Sequence, residues 1–350
     1  MCPSLRRFFQ NHATGGVASP ARFPSDAKPI PNPANPPGLI PKSAGRLASE
    51  FQPWGVRTCV IFNPVAKGNK ARHFRAHLDE IARHATLKQT RCAGDAKALA
   101  AEAVREGIET IVAAGGDGTL NEVLNGIGEA DGFERCRLGV LPLGTVNVFA
   151  RELKIPLKLE PAWQIIRNGN ERRIDLPFAE HGTTPRTERR WFAQLAGAGL
   201  DARAIELVDW QLKKKIGPLA YVWAGLKALM EEKPRLTATW AEGRLEGQLV
   251  LIGNGRLYGG DFATFQAAQL DDGKLDVCVF ERVNFGTLLR CAGPLLLANR
   301  LPESVVRRVQ TAGFTLSGPD SAAFELDGEL AGQLPVRFAV VPRGLRVIAP

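Results

Sequence analysis

From Val56 onward the chain alternates short apolar runs with stretches of helical spacing. Val56–Phe62 predicts a buried strand, followed by a turn at Asn63-Pro64-Val65-Ala66-Lys67-Gly68. Lys70–His84 puts Phe74, Leu78, Ile81 and Ala82 on one helical face. Thr86–Arg91 predicts a short strand, and Asp95 is placed to cap a helix over Ala96–Glu106. A strand at Thr110–Ala113 runs into the loop Gly115-Gly116-Asp117-Gly118-Thr119, and Leu120–Ile127 then resumes helical spacing. Leu138–Leu141, the loop Pro142-Leu143-Gly144-Thr145 and a helix over Val146–Leu153 repeat the design, with Pro156 as the stop. Strands alternating with helices predict an α/β domain built on a parallel sheet.

The pattern changes after about residue 175. Leu176–Ala179, Trp191–Leu195, Leu236–Trp240, Gln248–Gly253, Phe262–Ala267 and Leu275–Phe280 are short strand-like runs separated by turn residues. Val305–Val309, Gly313–Leu316, Ala323–Leu326, Val336–Val341 and Leu345–Ile348 continue them. Helical spacing returns only at Pro218–Glu231 and Asn284–Ala298. This half predicts an antiparallel β-rich domain. The expected division is a leader at 1–53, an α/β domain at 54–180 and a β-rich domain at 181–334. Nine of the 24 prolines fall before residue 50, so the leader reads as disordered or polyproline-like.

Composition narrows the classes. The net charge is +9, which suits an anionic partner. The excess is spread along the chain, so a dedicated nucleic-acid arm is not expected. The six cysteines form no CxxC pair, which fits reduced thiols in a cytoplasmic protein. The apolar run near Pro294–Ala298 is far too short to span a bilayer.

The candidate chemistry sits in the loops. A glycine-rich turn between strand and helix lets backbone N–H groups approach a phosphate. Asp117 inside such a turn would repel phosphates unless a cation lies between, so it could hold Mg²⁺ or act as a base; Thr119 could donate to a phosphate oxygen. The Gly144-Thr145-Val146-Asn147 loop and the Asn63–Gly68 loop, with Lys67 able to face phosphates, open at the same strand ends. Gln269-Leu270-Asp271-Asp272-Gly273-Lys274 reads locally as a hairpin, with a structural cation at Asp272 as the alternative. Glu325-Leu326-Asp327-Gly328-Glu329 reads either as a surface hairpin or as a base with a second, metal-positioning carboxylate. His73 and His77 stand four apart without further zinc ligands, and Lys213-Lys214-Lys215 is a short basic run; both read as solvated faces before they read as sites.

In their order, these motifs resemble the diacylglycerol kinase catalytic-domain family, and within it the soluble bacterial and sphingosine-kinase-like lipid kinases. The resemblance rests on Asn63-Pro64, Gly94-Asp95-Ala96, Gly115–Val123, Pro142–Asn147 with Phe149-Ala150-Arg151, Gly197–Ala202, Tyr258-Gly259-Gly260, Leu270–Val277 and Leu326–Glu329. It implies a first domain like that of NAD kinases and phosphofructokinases, a β-rich second domain, and a last strand, 335–350, that rejoins the first. It implies ATP and Mg²⁺ as cofactors and a lipid hydroxyl, of diacylglycerol or a related lipid, as acceptor. Nucleotide contacts would fall on Asn63, Lys67, Thr90, Gly115, Gly116, Asp117, Gly118, Thr119, Leu120, Asn121, Glu122, Gly144, Thr145 and Asn147. Asp272, with the carbonyls of Gln269 and Lys274, would hold a structural Mg²⁺. The base would be Asp327 or Glu329, whereas sphingosine-kinase-like members place it at Asp117. The chain departs from the family at Val148, where an aspartate is usual, and at Asp261, where a third glycine is usual; both lie where the acceptor would bind. A cytoplasmic protein touching the inner membrane face peripherally is expected, with homodimerisation left open. An NAD-kinase-like enzyme and a decayed nucleotide- or lipid-binding regulator stand as alternatives.

Overall fold

The computed structural model describes residues 57–64, 74, 77–183, 186–208 and 219–350. The proline-rich leader, Lys67, His73 and the lysine run at 213–215 lie outside the described residues.

Four strands open the chain's first sheet: β1 (Thr58–Phe62), β2 (Thr86–Gln89), β3 (Thr110–Gly115) and β4 (Arg137–Pro142). They pair in parallel in the order β2-β1-β3-β4. Every residue of β3 is buried, as helices on both faces of a parallel sheet require. The helices between them are α1 (Leu78–Ala82), α2 (Asp95–Arg105) and α3 (Asp117–Glu129); α4 (Val148–Glu152) and α5 (Leu159–Asn168) follow β4. One apolar core, from Cys59 and Ile111 to Leu124 and Leu138, fills the space between sheet and helices.

Asp95 does not cap α2. The N-cap is Gly94, and the Asp95 carboxylate turns back to accept from the N–H groups of Arg91 (2.7 Å) and Cys92 (3.1 Å). The N–H groups of Gly94 and Ala96 donate instead to Glu122 of α3, at 2.9 and 3.0 Å. A carboxylate 26 residues downstream of Ala96 therefore does the capping.

The rest of the chain forms an antiparallel sandwich. One face extends the first sheet: β16 (Val336–Ile348) pairs with β4, then β13 (Gly313–Ser317), β8 (Leu236–Trp240) and β9 (Gly243–Gly247) follow, while β5 (Glu171–Thr183) pairs with β16 and β6 (Arg186–Trp191). The other face is a six-stranded sheet of β12 (Arg307–Thr311), β11 (Leu275–Phe280), β10 (Leu249–Gly253), β7 (Leu195–Gly199), β14 (Ala323–Leu326) and β15 (Glu329–Gln333). Phe192, Phe314, Phe324 and Phe338 fill the space between the sheets. Among the described residues, three further helices follow: α6 (Leu200–Glu206), α7 (Leu219–Met230) and α8 (Phe285–Ala298). The described cysteines form no disulfide.

Two expected strands are absent. Phe262–Ala267 makes only an isolated bridge, Tyr258 to Phe262. Phe265 is fully buried against Gly253 of β10, so one anchoring ring gives a loop the apolar signature of a strand. Trp191–Leu195 is the break between β6 and β7, where the backbone N–H groups leave the ladder for a side-chain partner described below.

β16 joins the two regions within one strand. Its first half pairs with β13 and its last residues with β4, while β5 follows it with a register shift between Val341 and Leu345. Asp175 pins that shift: fully buried, it accepts from the N–H of Arg343 (2.7 Å) and from that of Gly273 (2.6 Å) in the acidic turn. Asp175→Ala strands both donors, and urea unfolding should show a loss of about 1–3 kcal/mol. An unchanged midpoint would mean that water replaces the carboxylate at no cost.

Candidate active site

The two glycine loops touch. The N–H groups of Leu143 and Gly144 donate to the Gly115 carbonyl at 2.9 and 3.1 Å. A Cβ on Gly144 would stand 2.5 Å from the Gly116 Cα and 2.7 Å from Asn147 Oδ1, so Gly144 tolerates no side chain. Asn147, in the left-handed region at φ 56°, braces the second loop: its Oδ1 accepts from the Gly144 N–H (3.0 Å) and its Nδ2 donates to the Gly144 carbonyl (2.7 Å). The first loop also carries the Asn63 N–H, which donates to the Ala114 carbonyl at 3.1 Å. Thr145 is exposed at the loop tip, while Thr90 and Thr119 are buried.

Asp117 begins α3 between these loops. Its carboxylate accepts from the backbone N–H groups of Asn147, Val148 and Phe149, so it ties the first loop to the start of α4. Burial, with the nearby Asp327 carboxylate adding repulsion, still pushes its pKa up to about 6.

The third component comes from the β14–β15 hairpin, some 200 residues downstream. Asp327 sits at φ 49° and Gly328 at φ 86°. The Asp327 carboxylate is saturated: Oδ2 accepts from Asn121 Nδ2 (2.9 Å) and the Ala193 N–H (2.8 Å), and Oδ1 from the N–H groups of Gln194 (3.0 Å) and Leu195 (3.1 Å). Burial nonetheless lifts its carboxyl above the usual range. Glu329, two residues on, is exposed, and a Cβ on Gly118 would lie 2.5 Å from its Oε1. The Glu329 carboxylate therefore stands against the backbone of the first glycine loop.

The remaining expected residues divide. Leu120 points into the core. Asn121 is buried, bonded to Asp327 and to the Trp191 carbonyl (3.2 Å). Glu122 caps α2, with one oxygen on Gly94 and the other on Ala96. These three side chains organise the loop from behind, so a ligand contact there would have to use the backbone. His77 meets Glu160 at 3.2 Å. In the acidic turn Asp272 Oδ1 accepts from the Lys274 N–H (3.0 Å), and the charges of Asp271 and Asp272 raise the carboxyl of Asp175, after burial. Carboxylate plus backbone carbonyl is an oxygen donor set that suits Mg²⁺, so Gln269, Asp272 and Lys274 fit the expected cation. Among the described residues, no group of three or more His, Cys, Asp or Glu is placed to hold a metal.

Sequence reasoning missed a buried acid pair beside the site. Asp201 and Glu325 face each other across Gly197, with the Tyr258 hydroxyl donating to Asp201 and the Gly328 N–H to Glu325 (2.6 Å). Burial lifts both carboxyls, and the oxygens beside Gly197, Asp201 Oδ2 and Glu325 Oε1, have no hydrogen-bond donor among the described residues. The Gly197–Ala202 and Glu325–Glu329 motifs pointed to each acid singly; 124 positions in sequence hid their meeting. A second missed contact joins Arg151 Nη1 to Asp261 Oδ1 at 2.6 Å, with Arg151 Nε on the Val146 carbonyl at 2.8 Å.

Comparison with known proteins finds relatives for both halves of the chain. Residues 57–178 match the diacylglycerol kinase catalytic domain, and residues 194–349 match the YegS C-terminal NAD kinase beta sandwich-like domain. The diacylglycerol kinase of Bacillus subtilis (strain 168) is 30% identical over 305 residues, covering 84% of this chain and 96% of that protein. A probable lipid kinase YegS-like of Xanthomonas oryzae pv. oryzae is 33% identical over 266 residues, covering 73% and 84%. The crystal structure of a diacylglycerol kinase from Bacillus anthracis str. Sterne superposes with a TM-score of 0.66 at 22% identity, covering 84% and 97%, and shows the shared fold.

The Asp117 carboxyl yields a pH prediction. Between its ordinary value, 3.8, and about 6 the folded chain keeps a proton that the unfolded chain has released. Stability contributed by this group therefore falls as pH rises through that window and is flat above it. Relative to Asp117→Asn, the wild type should lose about 1–3 kcal/mol between about pH 4 and pH 6 in urea unfolding. A constant difference over that range would mean that Asp117 titrates as an ordinary aspartate.

Proposed function

The chain belongs to the diacylglycerol kinase catalytic-domain family, and on that premise we propose that it transfers the γ-phosphoryl group of ATP to the hydroxyl of a lipid, diacylglycerol or a close relative. The observation that carries the reading is the placement of Glu329: a carboxylate from a distant hairpin stands against Gly118, inside a cradle whose glycines leave room for phosphates.

The roles divide by geometry. Gly115, Gly116 and Gly144 offer backbone close to the phosphates, and Thr145 stands at the loop tip to meet them. Asp117, next to Asp327, is the residue that would hold a nucleotide-associated Mg²⁺, because a cation there relieves the repulsion of the two acids. When bound, Mg²⁺ neutralises developing charge on the phosphoryl oxygens. Glu329 accepts the proton of the lipid hydroxyl as its oxygen attacks the γ-phosphorus and ADP leaves. Asp327 is excluded from that step by occupancy, since both of its oxygens already take two donors. Its job is to hold the hairpin so that Glu329 reaches the loop.

Two variants separate the acids. Glu329→Gln should lower turnover by about 10²–10⁴-fold with the unfolding midpoint unchanged. Asp327→Asn turns an amide toward N–H donors and should cost about 1–3 kcal/mol of stability. Full activity in Glu329→Gln would return the base to Asp117 or Asp327. With γ-labelled ATP, label should enter the organic phase when diacylglycerol is supplied. Label on NAD instead would make the chain an NAD kinase, and ATP binding without transfer would make it a regulator.

A further inference from the structure

Two helices on the outer face of the six-stranded sheet carry apolar side chains that nothing among the described residues covers. α8 spans 14 residues and buries only Cys291, with Leu295 partly packed beside it. The opposite side presents Phe285, Leu288, Leu289 and Leu296, at offsets of 0, 3, 4 and 11 along the helix, which is one continuous stripe. Phe285, Leu289 and Leu296 are 70%, 69% and 74% exposed, and Leu297 is 91% exposed. α7 adds Trp223, Leu226 and Met230 at offsets of 0, 3 and 7, with Ala224 and Ala228 buried behind them. Ala228, Leu229, Cys291 and Leu295 share one core cluster, so both helices lie on the same layer. A soluble monomer rarely leaves so much contiguous apolar surface bare.

The charge carried by α8 itself has one sign, with Glu281 and Glu303 lying in the cleft beside Arg282 and Arg290. α8 contains no acidic residue; Arg290 lies within it, and Arg282 and Arg300 flank it. Among the described residues, none of the three arginines forms an ion pair, and Glu281 is engaged by Arg307 at 3.3 Å. An apolar stripe rimmed by arginine matches the interface of an anionic bilayer, where the stripe enters the acyl boundary and the guanidinium groups meet headgroups. A two-fold pairing of two such faces would bring the same arginines together, which disfavours a second copy. Fourteen residues are too few to span, as an interfacial helix requires, and no described helix is long and apolar enough to cross a membrane.

The surface is connected to the catalytic loops. At the C-terminal end of α8, Asn299 Nδ2 donates to the Asp261 carbonyl (2.9 Å) and its Oδ1 accepts from the Ala263 N–H (2.8 Å). Asp261 in turn pairs with Arg151, which holds the Val146 carbonyl of the second glycine loop. We infer that the outer faces of α7 and α8 dock the protein on an anionic lipid bilayer and, through Asn299, Asp261 and Arg151, set the catalytic loops at its surface. The choice of a bilayer as occupant rests on the lipid-kinase reading.

The test uses the full chain and sedimentation with vesicles of phosphatidylcholine, alone or mixed with phosphatidylglycerol, without nucleotide. The wild type should pellet with the mixed vesicles, and Leu289→Glu/Leu296→Glu should weaken that binding by about tenfold or more. Arg290→Glu should weaken it selectively on the anionic vesicles. Phosphorylation of diacylglycerol embedded in vesicles should fall in parallel, while that of a short-chain, water-soluble diacylglycerol stays at the wild-type rate. Variant-sensitive vesicle binding with no phosphorylation of any lipid would support docking and remove the kinase reading. Wild-type vesicle binding in the double variant would overturn docking, and so would a wild-type dimer that the double variant splits without changing vesicle binding.

Discussion

Everything in the site hangs on one carboxylate. Asp327 collects four donors from two places: the α3 side chain of Asn121 and the consecutive backbone N–H groups of Ala193, Gln194 and Leu195. Ala193 and Gln194 lie in the break between β6 and β7, and Leu195 opens β7, so the donors come from where the chain passes from one sheet to the other. Asp327 therefore fastens the hairpin of the six-stranded sheet to the helix that carries the first glycine loop. Charge-assisted bonds in a buried setting hold their geometry far better than contacts between exposed side chains. The proposed reaction needs that fixity, because a proton acceptor one ångström out of place loses most of its effect.

This arrangement stores negative charge. Asp117 and Asp327 repel each other, and the Asp201–Glu325 pair lies directly behind the same hairpin. The fold offsets the charge unevenly. Asp327 has four donors, Asp117 has three backbone N–H groups facing it, and Asp201 and Glu325 each have one donor, while burial raises the pKa of all four. Asp117 is the one of these acids that begins α3 between the glycine loops, which is why the proposed reading gives it the cation. The same ordering explains why the residue that looks most catalytic in the loop is the weaker candidate for base. An acid pinned by three amides is placed to hold charge; Glu329, exposed against Gly118, is placed to meet a substrate hydroxyl.

The parts of this molecule that were legible in the sequence are those whose physics is local. A fully buried strand such as β3 and a Gly-Gly-Asp-Gly turn declare themselves within ten residues, and the β-rich half showed in the spacing of its turns. What stayed hidden is long-range partnership. Glu122 looked like a loop residue for nucleotide but caps α2. Asp95 looked like the cap but bonds backwards to Arg91 and Cys92. Asp327 and Glu329 were indistinguishable in Asp-Gly-Glu, because what separates them is the identity of donors more than 130 positions away. Phe265 shows the opposite failure, in which one buried ring imitates a strand.

The departures at Val148 and Asp261 make sense together. Val148 is buried and gives only its N–H, to Asp117, so the second glycine loop has no carboxylate of its own at that point. Asp261 brings one from the sandwich side and sets it on Arg151, one turn further along α4. Arg151 then has two holds, on Asp261 and on the Val146 carbonyl, and it fixes the loop from outside where an acidic residue at 148 would act from within. The charge has moved from the loop to its neighbour, and with it the control of loop position. Because Asp261 is also the residue whose carbonyl Asn299 holds, the loop is positioned by the same segment that ends α8. The second glycine loop is thus held from the helix side, by contacts that the glycine motifs themselves do not contain.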